Sequence, residues 1–284
     1  MTKKTHSPEL IADLERFIKE DLGDGDYSSL ACIKPDARGK AKVLLKQKGV
    51  VAGLEYIEPI FKLVDPTCKV MLLAMDGLLY NEGTVLARVE GNVLGLLSGE
   101  RVMLNLLQRM SGIATKTFYL QQLVAPFGTK ILDTRKTVPG LRHFDKQAVQ
   151  IGGGKNHRIG LYDMIMIKDN HIDHAGGIPQ AIENCERYIK KQNLDLKIEV
   201  EARNMDEVLT IMEYPSVFRI LLDNFKPQEL ERAVRFIGGN KETEASGGIT
   251  EITITDYART GVNYISIGAL THSVKSLDIS FKKI

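Results

Sequence analysis

Between Asp133 and Ile172 the chain reads DTRKTVPGLRHFDKQAVQIGGGKNHRIGLYDMIMIKDNHI. Arg135, Lys136, Arg142, His157, Arg158 and Lys168 crowd into it around a triple glycine, Gly152 to Gly154. A planar guanidinium fork matches a carboxylate with two parallel hydrogen bonds, so convergent arginines point to a carboxylate-bearing ligand. An isolated basic run would read as a solvated face. Here the cations fall at the ends of two separate apolar runs and in the segment between them, which aims them at one place.

Further along, Glu244-Ala245-Ser246-Gly247-Gly248 and Ile267-Gly268-Ala269-Leu270-Thr271-His272 have the form of phosphate cradles. Glycine permits close backbone approach, and backbone N–H groups at helix starts bind anions. Either segment alone reads equally well as a tight turn, and their pairing after consecutive strands favours the anion-binding reading. Glu201 and Asp223 are two carboxylates facing an otherwise cationic site. Such residues bind ribose hydroxyls, hold Mg²⁺ through hard oxygen ligands, or stabilise developing positive charge. Pairing with nearby lysines is the plain alternative. His143 and His174 read as loop residues, and His171 as either a loop-ordering residue or a site residue.

These residues need a frame that brings them together. Six short runs, at Ile131–Asp133, Met164–Ile167, Ile198–Val200, Ile220–Leu222, Thr243–Ala245 and Tyr264–Ile267, each stop at charge or glycine. Short buried strands separated by helical stretches indicate βα units on a parallel sheet, and such barrels carry their ligand site at the C-terminal strand ends. Crossover helices are expected at Ile178–Lys191, Asp206–Met212, Pro227–Ile237 and Thr250–Arg259, giving a barrel smaller than the eight-stranded form.

The first hundred residues have a different texture. Pro8–Glu20 reads as an amphipathic helix, followed by strands at Ala41–Leu45, Val50–Leu54, Val70–Ala74 and Val85–Val89, with Ile57–Leu63 helical. This predicts an α/β sandwich of antiparallel strands with helices packed on it. A helix over Ser98–Leu123 is apolar around much of its girth, which suits a domain junction or a subunit interface. Arg101 then falls in its first turn, where a cation opposes the helix dipole unless it faces an anionic ligand. The expected division is 1–112 for the sandwich, with the tail 273–284 returning to it, and 113–272 for the barrel.

Composition narrows the classes. At 284 residues with 43% hydrophobic content the chain holds an ample core, and a net charge of +2 argues against a nucleic-acid binder. No apolar run reaches membrane-spanning length. Cys32, Cys68 and Cys185 form no CxxC, so the expectation is a reduced, cytoplasmic enzyme and not a zinc protein.

The segments DTRKTVPGLR, GGGKNHRIGLYDMIMIKDNHI, EVEARN, LLDNF, EASGGIT and TGVNYISIGALTHSVKSLDISFK, with EDLGDGDYSS and SGERVMLNLLQRMSGIAT upstream, resemble quinolinate phosphoribosyltransferase. The resemblance covers nearly the whole chain. It implies an N-terminal open α/β sandwich joined to an incomplete parallel α/β barrel of seven elements, acting as a homodimer. The implied reaction is that of a decarboxylating pentosyltransferase of NAD biosynthesis, which joins quinolinate to 5-phosphoribosyl-1-pyrophosphate (PRPP). Mg²⁺ is implied with PRPP, and no organic cofactor.

On the same resemblance, Thr134, Arg135, Lys136, His157, Arg158 and Lys168 match quinolinate-side positions, and Glu201 and Asp223 those near ribose and metal. Ser246, Gly247, Gly248, Ile267, Gly268, Ala269 and His272 match the phosphate loops, and Arg101 an arginine donated to the partner subunit's site. Lys136, Lys168, Glu201 and Asp223 are the expected catalytic set. Val138 and Gln150 depart from the Thr and Arg expected in many bacterial members. The rival readings are a related phosphoribosyltransferase acting on nicotinate or another small carboxylate, an aldolase-type barrel with Lys168 as Schiff-base nucleophile, and a catalytically silent ligand-binding barrel.

Overall fold

The computed structural model describes residues 7–284, which form two compact units. The first unit comprises the chain up to Lys116 with Val138–Gly153 and Val274–Ile284, and the second Thr117–Thr137 with Gly154–Ser273.

In the first unit, helix α1 (Pro8–Leu22) starts where Ser7 accepts the Leu10 N–H at 3.3 Å and Pro8 supplies a pre-set φ. It buries Leu14 and Ile18, and Gly23 closes it in the left-handed region. Helix α2 (Tyr27–Cys32) follows, capped by Asp26. The sheet is built on strand β1 (Arg38–Leu45), whose alternate residues Ala41, Val43 and Leu45 are buried. After β2 (Gly49–Val50), helix α3 (Ile57–Val64) adds Ile57, Ile60 and Phe61 to the core. Strands β3 (Lys69–Leu72), β4 (Leu79–Tyr80) and β5 (Val85–Asn92) come next, and β12 (Ile279–Lys283) closes an antiparallel sheet ordered β12-β1-β5-β3. Phe281 of β12 stacks on Phe61 at 5.5 Å between ring centroids.

One expected strand is not there. Val50–Leu54 is buried, but only Val50 lies in a strand: Val51 still bonds to the backbone of Leu78 and Gly77, and from Ala52 to Leu54 the N–H groups go to side chains in place of a ladder. The Ala52 N–H donates to Ser111 Oγ at 3.0 Å, and those of Gly53 and Leu54 donate to the Asp76 carboxylate at 3.0 and 3.1 Å. The long helix α4 runs from Val93 to Val124, starting where Asn92 Oδ1 accepts the Leu94 N–H at 2.8 Å. Its residues to Lys116 belong to the first unit. Arg101 therefore lies in the third turn, eight residues beyond Val93, and the helix-dipole argument drawn from a first-turn position falls. The segment expected to be a cationic loop contains helix α5 (Arg142–Ile151), also in this unit, with Phe144, Ala148 and Val149 buried. Its buried Asp145 is held by Arg109 through two hydrogen bonds of 2.7 and 2.8 Å. His143 is thus helical, 3.3 Å from the Tyr56 hydroxyl.

The second unit is a parallel α/β sheet. Its strands are β6 (Lys130–Leu132), β7 (Ile165–Ile167), β8 (Ile198–Ala202), β9 (Val217–Asp223), β10 (Glu242–Ser246) and β11 (Tyr264–Ser266), in the order β6-β11-β10-β9-β8-β7. Beyond β6, Lys155 adds a single parallel bridge to Leu132. All five residues of β8 are buried, as expected of a strand covered on both faces. Between strands run α6 (Asp169–Ala175) and α7 (Ile178–Gln192), α8 (Met205–Met212), α9 (Pro227–Ile237) and α10 (Ile254–Ala258), with α11 (Ala269–His272) after β11. Helix α9 shows why they pack: Leu230, Ala233 and Ile237 share one face and are fully buried, Pro227 opens it and Gly238 ends it. Helix α10 is shorter than expected because Thr250 and Thr253 bond to each other in a turn before it.

Candidate active site

The strand ends of the second unit open into a cleft of about 760 Å³. Beyond β6 come Thr134, Arg135 and Lys136, with Thr134 Oγ1 accepting the Lys136 N–H at 3.1 Å. His157 and Arg158 join them, because the buried Asp133 carboxylate accepts the His157 N–H at 2.8 Å. Beyond β7 stands Lys168, whose N–H donates to His171 Nδ1 at 2.9 Å. His171 therefore caps the start of α6 from within its first turn, and His174 lies further along the same helix. At the C-terminal ends of β8, β9 and β10 stand Glu201, Asp223 and Ser246, and the cleft is completed by Gly247, Gly248, Ile267, Gly268, Ala269 and His272. Arg142 and Arg101 belong to the first unit and do not line this cleft.

The electrostatics divide the cleft. Burial and the Arg135 charge both weigh against the charged form of the Arg158 guanidinium. An anion between these two arginines would offset that repulsion. Opposite them, burial pushes the Glu201 carboxyl up, and the Asp223 charge adds to it; Lys168, with Nζ 3.8 Å from a Glu201 oxygen, pulls it back. Asp223 is likewise raised, by burial first. Two hard carboxylates whose charged forms are disfavoured in this way are a fitting donor set for a divalent cation.

The glycine-rich wall has a steric requirement. Gly247 has φ +99°, and a Cβ there would collide with the Asn224 side chain and lie 3.0 Å from its backbone N. A Cβ on Gly268 would lie 3.0 Å from Lys136 Cδ and 3.2 Å from His272 Cδ2. At Gly247 a side chain has no room, and at Gly268 one would have to push Lys136 and His272 aside, so an anionic ligand can approach the main chain at both.

Beneath this floor lies a charged cluster that reading the sequence missed. His157 Nε2 faces Glu199 at 3.2 Å and Glu244 at 3.4 Å, and Arg219 Nη1 stands 3.2 Å from Glu244. Burial presses the His157 pKa down, but the two carboxylates outweigh it and hold it up, at about 9. Against that, Nδ1 accepts the Arg158 N–H at 2.7 Å, which a doubly protonated ring cannot do. Both descriptions keep a proton on Nε2. Burial and the Glu244 charge raise the Glu199 carboxyl to about 7, whereas His157 and Arg219 overcome burial to hold Glu244 low. The signal was in the sequence: a second charge deeper in each apolar strand than the one at its end, Glu199 in IEVEA and Arg219 in FRILLD, and Glu244 two residues before Ser246.

A parallel α/β sheet whose strand-end cleft sets arginines and lysines against glycine-rich turns defines a protein that brings two anionic ligands together. The chain belongs to the quinolinate phosphoribosyl transferase family. It matches that family's N-terminal domain over residues 26–111 and its C-terminal domain over 113–282. It is 48% identical to the chloroplastic nicotinate-nucleotide pyrophosphorylase [carboxylating] of Oryza sativa, covering 96% of this chain and 77% of that one. It is 42% identical to the probable enzyme of the same name from Bacillus subtilis, covering 94% and 91%. The solved structure of NadC from Streptococcus pyogenes aligns with a TM-score of 0.92 at 35% identity, over 99% of both chains. That of the nicotinate-nucleotide pyrophosphorylase from Francisella tularensis aligns at 0.90 and 30% identity, over 100% and 99%.

Proposed function

We propose that the protein transfers the phosphoribosyl group of PRPP to the ring nitrogen of quinolinate with loss of CO₂, giving nicotinate mononucleotide and pyrophosphate in NAD biosynthesis. The observation that carries this reading is the meeting of Arg135, Arg158 and Lys168 with the Gly247 and Gly268 turns in one cleft. One wall suits adjacent carboxylates and the other a phosphorylated sugar. Nicotinate has a single carboxylate and offsets less of the repulsion between Arg135 and Arg158, which disfavours it as the substrate.

Quinolinate and PRPP repel each other in water, and the cationic wall offsets that repulsion while fixing their approach, which is catalysis by positioning and preorganised charge. The nitrogen lone pair forms the bond to the anomeric carbon as the bond to pyrophosphate breaks, its electron pair leaving with pyrophosphate. Glu201 and Asp223 stabilise the positive charge that develops on the ribose, and Lys136 and Lys168 meet the departing pyrophosphate or the 2-carboxylate. The nitrogen is then cationic. The bond to the 2-carboxylate breaks, CO₂ leaves, and the electron pair stays on the ring carbon until that carbon takes a proton from water. No general base is required.

Mg²⁺ entering with PRPP would be held by Glu201 and Asp223 and would neutralise pyrophosphate charge; no organic cofactor is invoked. The working form in this reading is a homodimer in which Arg101, exposed on α4, reaches the partner subunit's cleft. An exposed apolar run on the edge strand β3 and just after it, with Met71, Leu72, Leu73 and Met75, supports such an interface. Among the described residues no helix is long and apolar enough to cross a membrane. The free thiols Cys32, Cys68 and Cys185 suit a reducing, cytoplasmic setting. Pyrophosphate release that requires quinolinate and PRPP together tests the assignment, and release with nicotinate in place of quinolinate would hand the cleft to the related activity.

A further inference from the structure

The two-residue period that brings Glu201, Asp223 and Ser246 to the mouth of the cleft carries a second set of charges below it on the same strand faces. In register, Glu199 lies beside Arg219 and Arg219 beside Glu242, while Glu244 precedes Ser246 by two. Glu199, Glu244 and Arg219 are 0%, 1% and 9% exposed. Buried ionic groups of this kind are weak evidence for stability, because apolar replacements are often neutral or better. A role at the site accounts for them more directly.

The cluster converges on His157. Its Nε2 faces Glu199 and Glu244, its Nδ1 accepts the Arg158 N–H, and its own N–H is bound to Asp133. Both ring nitrogens are thus engaged within the protein. Arg219 holds the carboxylates in turn, with its guanidinium 4.3 Å from the Tyr264 ring centroid and bonded to Glu242 at 2.7 Å. The ligand atoms of His157, Glu199 and Glu244 lie within 4.8 Å of one another, a spacing a metal ion could bridge, but the Arg219 guanidinium already supplies positive charge there.

We infer that Glu199, Glu244 and Arg219 are positioning residues that act through His157 to set Arg158 at the carboxylate end of the cleft, and that His157 works as a strut and not as a substrate ligand. The inference rests on the reading that Arg135 and Arg158 receive the substrate's carboxylates.

The test has two arms. In the full-length protein without substrate, long-range ¹H–¹⁵N correlation of the His157 ring, identified by its loss in His157→Asn, should show Nε2 protonated. An Nδ1–H ring, or a signal averaged between tautomers, would overturn the inference. This arm needs no turnover, so it stands apart from any failure of quinolinate as a substrate. In the second arm, the near-isosteric Glu244→Gln should raise the quinolinate KM about tenfold. The PRPP KM should stay within about twofold. Glu244→Gln should also give a tautomer-averaged ring. Equal rises in both KM values with a lowered Tm would mark the cluster as merely structural and overturn the inference, as would unchanged kinetics. If the variant does not fold, the wild-type ring measurement alone decides.

Discussion

Thr271 Oγ1 donates a hydrogen bond of 2.8 Å to the carbonyl oxygen of Lys136, joining α11 to the loop after β6. Thr271 is fully buried, so the bond is not shared with solvent. The helix follows Gly268 and the loop carries the cations, and this contact ties the phosphate wall to the carboxylate wall.

Thr271→Val removes that tie and leaves the Lys136 carbonyl short of a donor, a loss of about 1 kcal/mol for a neutral hydrogen bond. Both KM values should rise together by about fivefold. A change confined to one substrate would mean that the two walls are independent.

Arg135→Ala takes a guanidinium from the carboxylate wall and leaves the glycine turns untouched. Hydrogen bonds to charged groups contribute about 1.5–3 kcal/mol, so the quinolinate KM should rise about 10- to 100-fold with the PRPP KM nearly constant. Initial-rate kinetics with each substrate varied in turn would show it. An unchanged quinolinate KM would remove Arg135 from the carboxylate site.

Asp223 gives a prediction about stability. Burial raises its pKa above the ordinary 3.8, with Asp169 adding to the rise and Lys168 and Asn224 opposing it. An acid whose pKa is higher folded than unfolded costs nothing below the unfolded value and weakens the fold as pH rises through the folded value. Asp223→Asn should therefore melt above the parent at about pH 8 without divalent cations, and the gap should close at about pH 4. A gain of equal size at both pH values would show that the carboxylate charge is not its cause. The same variant should lose activity, since stabilising an active-site charge defect trades against function.

Arg101 tests the subunit arrangement. Arg101→Ala and Lys168→Ala should each be nearly inactive, and mixed dimers should recover up to about a quarter of the activity, because one hybrid cleft is intact. Absence of recovery with subunit exchange demonstrated would mean that Arg101 serves its own chain.

How much of this was legible beforehand depended on how local the determinants are. The six parallel strands and helices such as α9 announce themselves through apolar period and punctuation, since Pro227 and Gly238 act within a turn of their own position. Helix α5 does not, because its Asp145 is stabilised by Arg109, which lies 36 residues away in the chain. The start of α4 was misjudged by five residues, Val93 against Ser98, since an apolar run with glycine shows no helical period and only the Asn92 cap marks the beginning. At the site, residues at strand ends were readable from charge following an apolar run. Glu199, Arg219 and Glu244 were not, because only the register of β8, β9 and β10 brings the three charges together.

The most direct test of the proposed reaction follows the carboxylate. Purified protein with PRPP and Mg²⁺ should be given quinolinate labelled at the 2-carboxylate and, separately, at the 3-carboxylate. The account predicts that the 2-label leaves entirely as CO₂ in step with pyrophosphate, while the 3-label stays in nicotinate mononucleotide. Pyrophosphate release from nicotinate but not from quinolinate would contradict it and return the cationic wall to a monocarboxylate.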